Sequence, residues 1–392
     1  MKKNIKNKLA IITEGSLFYW GGAEKFAIGV AKKMNREFEI IIFSKRDHLE
    51  KRVDMAFIKK QLPKEKIIEY DCFKFPITQE YFPKINYFFK LIISLKNFST
   101  IYNIDPSLGS LIILNLCKLF FKTKIIFVGE DPYFFDYLLS KNPIENKFYK
   151  KLFFKYYLFF KKNLLKNFDA IQVINSKDEK LIKKMNYKNK LFFIPNFIYD
   201  GRKINTKRSN SNKFIVLFVG RLDNIKHKGL DFLKNIIDKV LSTNKEIEFH
   251  IVGSGDGGEN IVKGLVNKYP KNVYYKGFLT GNALDDEYEN ATIFILTSRF
   301  ESFGLVVLEA QAKSLPVISF DIPGPKDIIT TFSGSLIKPF DTQLFSDKIL
   351  EYYKLWKNNK IDLKYKNKII EYIFNKYSYK VIIPKIEEII KN

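Results

Sequence analysis

Glu301 and Glu309 stand with seven residues between them in the stretch TIFILTSRFESFGLVVLEAQAKSLPVISFDIPGPKD, residues 292–327. The spacing and surroundings suit recognition of hydroxyl groups. Residues 293–296 and 317–319 are short apolar runs that read as buried parallel strands. Residues 303–313 have helix length, and Ser302 is placed to cap them. Glu309 is flanked by Val307, Leu308, Ala310 and Ala312, so its helix is mostly buried and its carboxylate needs partners. Lys313, one turn on, is one candidate. The other is a ligand, with Glu309 receiving ribose hydroxyls and Glu301 receiving hydroxyls of a sugar. The start of the helix between them, at Phe303, Gly304 and Leu305, points backbone N–H groups at an anion, most simply a diphosphate. Gly304 carries no side chain where that anion would approach.

Basic residues that match this chemistry follow an earlier strand. Residues 214–219 read as a buried strand ending in Gly220-Arg221-Leu222-Asp223, then Lys226-His227-Lys228-Gly229 and a helix from Leu230. Arg221 and Lys228 at a parallel strand's end suit a diphosphate; the plain alternative is surface basicity in a lysine-rich chain. Residues 249–253 form the next strand, and Gly253, Gly255 and Gly258 after it spell G-x-G-x-x-G, a weak dinucleotide fingerprint. Residues 273–278 form another, with Phe278 able to lie near a base. In the N-terminal half, the strand 9–12 leads to Gly21 and Gly22 at the head of a helix, which is an anion-binding arrangement or simply a tight turn. The strand 124–128 ends in Gly129-Glu130-Asp131-Pro132. Two adjacent carboxylates there can accept sugar hydroxyls or act as a base, or Asp131-Pro132 only begins a turn.

The run E-S-F-G-L-V-V-L-E-A, continuing Q-A-K-S-L-P-V-I-S-F-D-I-P-G, resembles the E-x7-E signature of the retaining nucleotide-sugar glycosyltransferases of family 4, which have the GT-B fold. The family usually has Gly where this chain has Ser302. The resemblance implies an α/β protein of two doubly wound Rossmann-like domains facing a central cleft, and transfer of a sugar from a nucleotide-diphosphate sugar, UDP or GDP, to an acceptor. It implies that Arg221 and Lys228 bind the donor phosphates, that Gly22 of the G-G-x-E segment lies near the diphosphate, and that Gly253 and Gly255 lie near the nucleotide. Tyr377-Ser378-Tyr379 resembles the family's closing segment, whose last helix crosses back to the first domain. Many members carry a histidine at the end of the strand resembled by 124–128. Here His48, His227 and His250 all lie elsewhere, and Asp131 is read as the substrate contact in its place. That missing histidine keeps a second class open, a nucleotide-sugar-binding partner subunit of weak activity; a nucleotide-sugar epimerase of the same fold is a third. The chain contains no D-x-D, so neither metal nor cofactor is expected, and Arg221, Lys228 and the helix start at Phe303–Leu305 would stabilise the leaving diphosphate. Retention without an evident nucleophile suggests attack on the face from which the diphosphate departs.

A chain of 392 residues with 46% hydrophobic content suits two globular domains. Strands alternating with helices imply parallel doubly wound sheets, with ligands at the carboxyl ends of the strands. The polar segment 200–213, DGRKINTKRSNSNK, is the best linker, which places one domain at 1–199 and the other at 200–375, with 376–392 packing back on the first. Cys72 and Cys117 show no spacing motif and fit a reducing compartment. The apolar run 9–12 is too short for a signal peptide, and no run reaches a membrane span. The net charge is +25. No motif for nucleic acid accompanies it, which leaves an anionic membrane surface or lysine-rich composition without functional meaning. Residues 141–166 hold eight lysines and one acid, interleaved with aromatics. They read as a basic amphipathic helix on a membrane, or as a helix packed on the sheet with a solvated lysine face. The expectation is a cytoplasmic protein, peripheral on the inner face of the membrane, with a lipid-linked or cell-surface glycan as acceptor.

Overall fold

The computed structural model describes residues 7–46, 53–74, 81–129, 159, 161–185, 187, 190–198, 213–223, 225–358 and 363–392. The chain divides into two compact units, Met1–Asn196 with Tyr379–Asn392, and Phe197–Ser378.

In the first unit the strands are β1 (Asn7–Thr13), β2 (Phe38–Arg46), β3 (Lys66–Lys74), β4 (Tyr81–Pro83), β5 (Thr100–Ile104), β6 (Lys124–Gly129), β7 (Ala170–Val173) and β8 (Lys190–Phe193). They form one sheet in the order β4-β3-β2-β1-β5-β6-β7-β8. β1, β5 and β6 are near-continuous apolar runs because helices cover both faces of a parallel sheet; Leu9, Ala10, Ile11, Ile101, Ile125 and Ile126 are fully buried. All described pairings are parallel except β3 with β4, a three-residue edge strand ending in Pro83, which needs no ladder hydrogen bond on its outer side. The strand order reverses between β1 and β5, the place where such sheets open a crevice. The last helix, Tyr379–Lys391, packs on the helix Gly22–Met34 and buries Ile382, Ile386, Ile389 and Ile390. The Lys33 ammonium sits 3.3 Å above the Tyr379 ring, and Lys124 donates to the Ile389 carbonyl.

In the second unit the strands are β9 (Phe214–Val219), β10 (Ile247–Val252), β11 (Val273–Gly277), β12 (Ile293–Leu296), β13 (Val317–Phe320) and β14 (Gly334–Ile337). They form an all-parallel sheet in the order β11-β10-β9-β12-β13-β14, reversing between β9 and β12. Phe214, Phe218, Phe249 and Phe320 build its core with Ile236, Ile237 and Phe345 from the covering helices. Two doubly wound α/β sheets are what the alternating pattern predicts. The antiparallel β4 is not, because three residues carry no periodicity.

Candidate functional site

The turns that follow β9, β10 and β11 are stitched together. The Gly220 N–H donates to the Val252 carbonyl at 3.0 Å, that of Leu222 to Ser254 at 2.9 Å, and that of Gly253 to Gly277 at 2.8 Å. Glycine is demanded by this closure. Gly253 has φ +147°, and a Cβ there would lie 1.8 Å from the Gly220 carbonyl oxygen; Gly255 has φ +144°, and its Cβ would lie 2.2 Å from the Asp223 nitrogen. The G-S-G motif therefore fits the loops to one another whatever else it contacts. Arg221, with its Nε 3.9 Å from Asp223 Oδ1, keeps about a third of its side chain exposed. Phe278 is half-buried, one residue beyond β11.

The turn after β9 also locks onto the end of β12. Gly229 is left-handed, φ +62°, and a Cβ on it would lie 2.0 Å from the Thr297 carbonyl oxygen. The Thr297 hydroxyl donates to the Lys228 carbonyl at 2.9 Å. This brings Lys228 Nζ to 2.5 Å from Glu301 Oε1, with only 14% and 11% of the two side chains exposed. The Ser298 hydroxyl donates to the same oxygen at 2.7 Å. Burial alone pushes the Glu301 carboxyl up, but the Lys228 ammonium and the Ser298 hydroxyl outweigh it and hold the acid below its ordinary range. Burial, followed by the charge of Lys228, lowers the His227 imidazole, whose Nε2 lies 2.8 Å from the Phe300 carbonyl. Arg299 grips Asp231 through two bonds of 2.7 and 2.6 Å, and its guanidinium lies 3.8 Å above the Phe232 ring. That fork ties the loop carrying Glu301 to the helix Leu230–Thr243.

The helix after this loop spans Leu305–Ala312, not the expected 303–313, and its cap is Gly304 rather than Ser302. Gly304 has φ +94° and makes no side-chain cap hydrogen bond, so no side chain takes up the first-turn N–H groups in the manner of a cap. The Phe303 ring is buried and meets Tyr377 edge-on at 5.9 Å, which leaves its main chain as the part able to meet a ligand. Gly324 closes on that main chain, since a Cβ there would lie 2.8 Å from the Phe303 oxygen. Leu305 is half-buried. Glu309 accepts from the Tyr288 hydroxyl at 2.9 Å, while Lys313 reaches Glu289 at 2.5 Å and Asp285 at 3.9 Å, both on the helix Gly281–Asn290.

In the first unit Gly21 caps the helix that begins at Gly22, and Gly22 is exposed. The Glu24 carboxylate is buried against both glycine turns: a Cβ on Gly21 would lie 2.5 Å from its Oε2, and one on Gly15 would lie 2.0 Å from its Oε1. The acid of G-G-A-E thus packs against the Gly21 turn, and a side chain at 21 would have to displace its carboxylate. Glu130 and Asp131 fall outside the described residues, as do 141–158 and 160 of the lysine-rich segment.

The structure gathers Arg221, Lys228, Gly253, Gly255, Phe278, Glu301, Phe303, Gly304, Leu305 and Glu309 in the turns and helix starts after β9, β10, β11 and β12. It adds residues that pattern reading missed: Ser298, Thr297, Arg299 with Asp231, and Tyr288. Thr297, Arg299, Asp231 and Tyr288 work through partners distant in sequence, so no local spacing marks them; Ser298 meets Glu301 only three residues on, inside a polar turn whose pattern does not single it out. The assembled chemistry is one largely buried cation–carboxylate pair, the partly exposed guanidinium of Arg221, and a helix start without a side-chain cap, at the point where the strand order reverses. Chemically, that combination is suited to an anion beside a polyhydroxyl group.

Residues 201–375 match the family model Glycosyl transferases group 1. The poly(ribitol-phosphate) alpha-N-acetylglucosaminyltransferase of Staphylococcus aureus (strain COL) is 32% identical over 161 residues, covering 40% of this chain and 32% of that protein. The lipopolysaccharide 1,6-galactosyltransferase of Salmonella typhimurium is 31% identical over 130 residues, covering 32% of this chain and 35% of that one. The chain thus spans about a third of the length of these relatives. The crystal structure of the pneumococcal O-GlcNAc transferase GtfA in complex with UDP and GlcNAc has a TM-score of 0.73 at 14% identity, covering 98% of this chain and 99% of that one. The chain shares its fold, GT-B.

Proposed function

We propose that this chain, whose residues 201–375 match the glycosyl transferases group 1 family model, moves a sugar from a nucleotide-diphosphate sugar to a lipid-linked or cell-surface glycan acceptor, keeping the anomeric configuration. The observation that carries this reading is the Lys228–Glu301–Ser298 cluster beside the Gly304 helix start. UDP is the favoured nucleotide, supported by its presence in the similar GtfA complex; GDP is the alternative.

Each residue has a physical task. Lys228 keeps Glu301 ionised, and an ionised carboxylate accepts sugar hydroxyls more strongly than a neutral acid. Glu309, positioned by Tyr288, accepts ribose hydroxyls. Arg221, Lys228 and the N–H groups at Phe303–Leu305 meet the diphosphate. As the bond from anomeric carbon to phosphate oxygen breaks, its electron pair stays on that oxygen, and these positive groups stabilise the growing charge. The acceptor hydroxyl attacks the carbon from the same face, and the departing phosphate oxygen takes its proton. The positive charge comes from the chain itself, so no metal is invoked. Gly21 and Gly22 are assigned to the donor diphosphate and Asp131 to the substrate. The charge of +25 supports a place on the cytoplasmic face of the inner membrane.

The test is a thermal-shift screen over UDP-, GDP- and ADP-sugars, followed by NMR of the anomeric proton in product. One donor should raise the melting temperature, because a ligand of the native state stabilises it, and the product should keep the donor's configuration. Inversion of a donor sugar without acceptor would identify an epimerase. Binding with neither transfer nor donor hydrolysis would identify a partner subunit. No shift with any donor would sink the reading.

A further inference from the structure

The helix Ile85–Leu95 in the first unit shows apolar side chains to solvent on the side opposite its core. Leu91 and Leu95 are buried, in the same core as Leu111, Leu114 and Phe127. Ile85, Phe89 and Ile93, spaced four apart, are 77%, 60% and 69% exposed. At helical spacing they line one face. The helix Leu108–Phe121 packs beside it and exposes Leu119 and Phe120 in its last turn, 73% and 67%. Five large apolar side chains exposed on two neighbouring helices differ from the single exposed hydrophobes normal on a soluble surface.

The charges around this face have one sign. From Lys84 to Val128 the chain carries six lysines and a single acid, Asp105. Lys84 lies 3.7 Å from Asp71. Lys90, Lys96 and Lys122 are exposed and have no acidic partner among the described residues. Lysine stems lie along apolar surface while their heads reach outward. No helix among the described residues is long and apolar enough to cross a membrane, and Ile85–Leu95 combines an exposed apolar stripe with exposed lysines in and just beyond it, the pattern of a helix that lies in an interface.

We propose that this face docks in the headgroup layer of an anionic lipid surface, with Ile85, Phe89 and Ile93 entering between the lipids and Lys90, Lys96 and Lys122 meeting their phosphates. The apolar stripe alone would serve a protein partner equally well; the unneutralised lysines favour a phosphate-bearing layer. The face uses none of the residues assigned to sugar transfer.

The experiment is sedimentation of the full chain with vesicles of mixed phosphatidylglycerol and phosphatidylcholine, and of phosphatidylcholine alone, at low and high salt. Retention is expected on the anionic vesicles only and should weaken with salt. Each lysine near such a surface is worth about fivefold in partition, so changing Lys90, Lys96 and Lys122 to Glu should cost about a hundredfold or more. Ile85→Ser, Phe89→Ser and Ile93→Ser together should cost at least about tenfold. Both variants alter exposed positions and should melt like the parent, with the donor-induced thermal shift intact. Equal retention of parent and variants overturns the proposal, as does failure of the parent to sediment at low salt. Light scattering that shows a dimer abolished by the serine variant would reassign the face to a second copy of the chain and overturn it too.

Discussion

At the scale of residues, the contact between Lys228 and Glu301 changes what each is expected to do. Pattern reading assigns the lysine to phosphate and the acid to sugar, as separate tasks. The structure joins them at 2.5 Å, so the acid tempers the charge that the lysine offers a diphosphate. Glu301→Gln preserves shape and an oxygen for the Ser298 hydroxyl, but releases Lys228. The variant should bind nucleoside diphosphate as well as the parent or better, while kcat falls at least about tenfold, because contacts to the reacting sugar strengthen in the transition state. Full kcat in a folded Glu301→Gln protein would make the acid structural. The same pair gives a pH signature. The folded Glu301 carboxyl titrates below its unfolded value, so its contribution to stability is complete above the unfolded value of about 4.3 and is lost as pH falls through the lower folded one. Acid unfolding of Glu301→Gln should accordingly be less steep than that of the parent. The types and spacing of Arg221, Lys228 and Glu301 were legible in sequence because each follows an apolar strand, and Glu309 because it is a carboxylate among apolar helix residues. The contacts that support them were not: Arg299 with Asp231, and Tyr288 with Glu309, meet only after the sheet has formed.

At the scale of elements, glycine conformations hold the turns in place, and they differ in kind. Gly304 is constrained by its angle: φ is +94°, yet its missing Cβ would touch nothing closer than 3.4 Å. Gly229 is constrained by angle and by space, since its Cβ would lie 2.0 Å from a backbone oxygen. Gly304→Ala should therefore cost about 1–2 kcal/mol, the ordinary price of a left-handed residue with a side chain. Gly229→Ala should cost more, because β12 must move away and carry the Lys228–Glu301 contact with it. Urea unfolding compares the two; an Ala at 229 tolerated as well as at 304 would contradict this account. Strands β9, β10 and β12 were readable as apolar runs because a parallel strand is buried on both faces. The helix start was misplaced by two residues because Ser302 looks like a cap, and local pattern does not reveal that Gly324, packed on Phe303, sets the entry turn. The helix Ile85–Leu95 shows another limit: its composition suits burial, and only the packed structure shows which apolar side chains stay outside.

At the scale of the whole molecule, the two units are built differently along the chain. The second is one continuous segment, Phe197–Ser378, whereas the first is completed by the last residues, Tyr379–Asn392. The resemblance in the closing segment implies a last helix that returns to the first domain; Ile382, Ile386, Ile389 and Ile390 of that helix are buried, and the helix packs on Gly22–Met34. Ile386 is fully buried, and truncating such a side chain removes apolar contact and leaves a cavity, at a cost of about 2–5 kcal/mol. Ile386→Ala should therefore weaken the first unit and spare the second. A chain of two units does not unfold in one step, so the measurement has to resolve them, and native-state hydrogen exchange does. Amides of the helix Gly22–Met34 and of β1, β5 and β6 should exchange faster in the variant, while those of β9, β10 and β12 keep their protection and the donor-induced thermal shift persists. Equal loss of protection in both sheets, or unchanged exchange in the helix Gly22–Met34, would show that the closing helix does not stabilise the unit to which its packing assigns it.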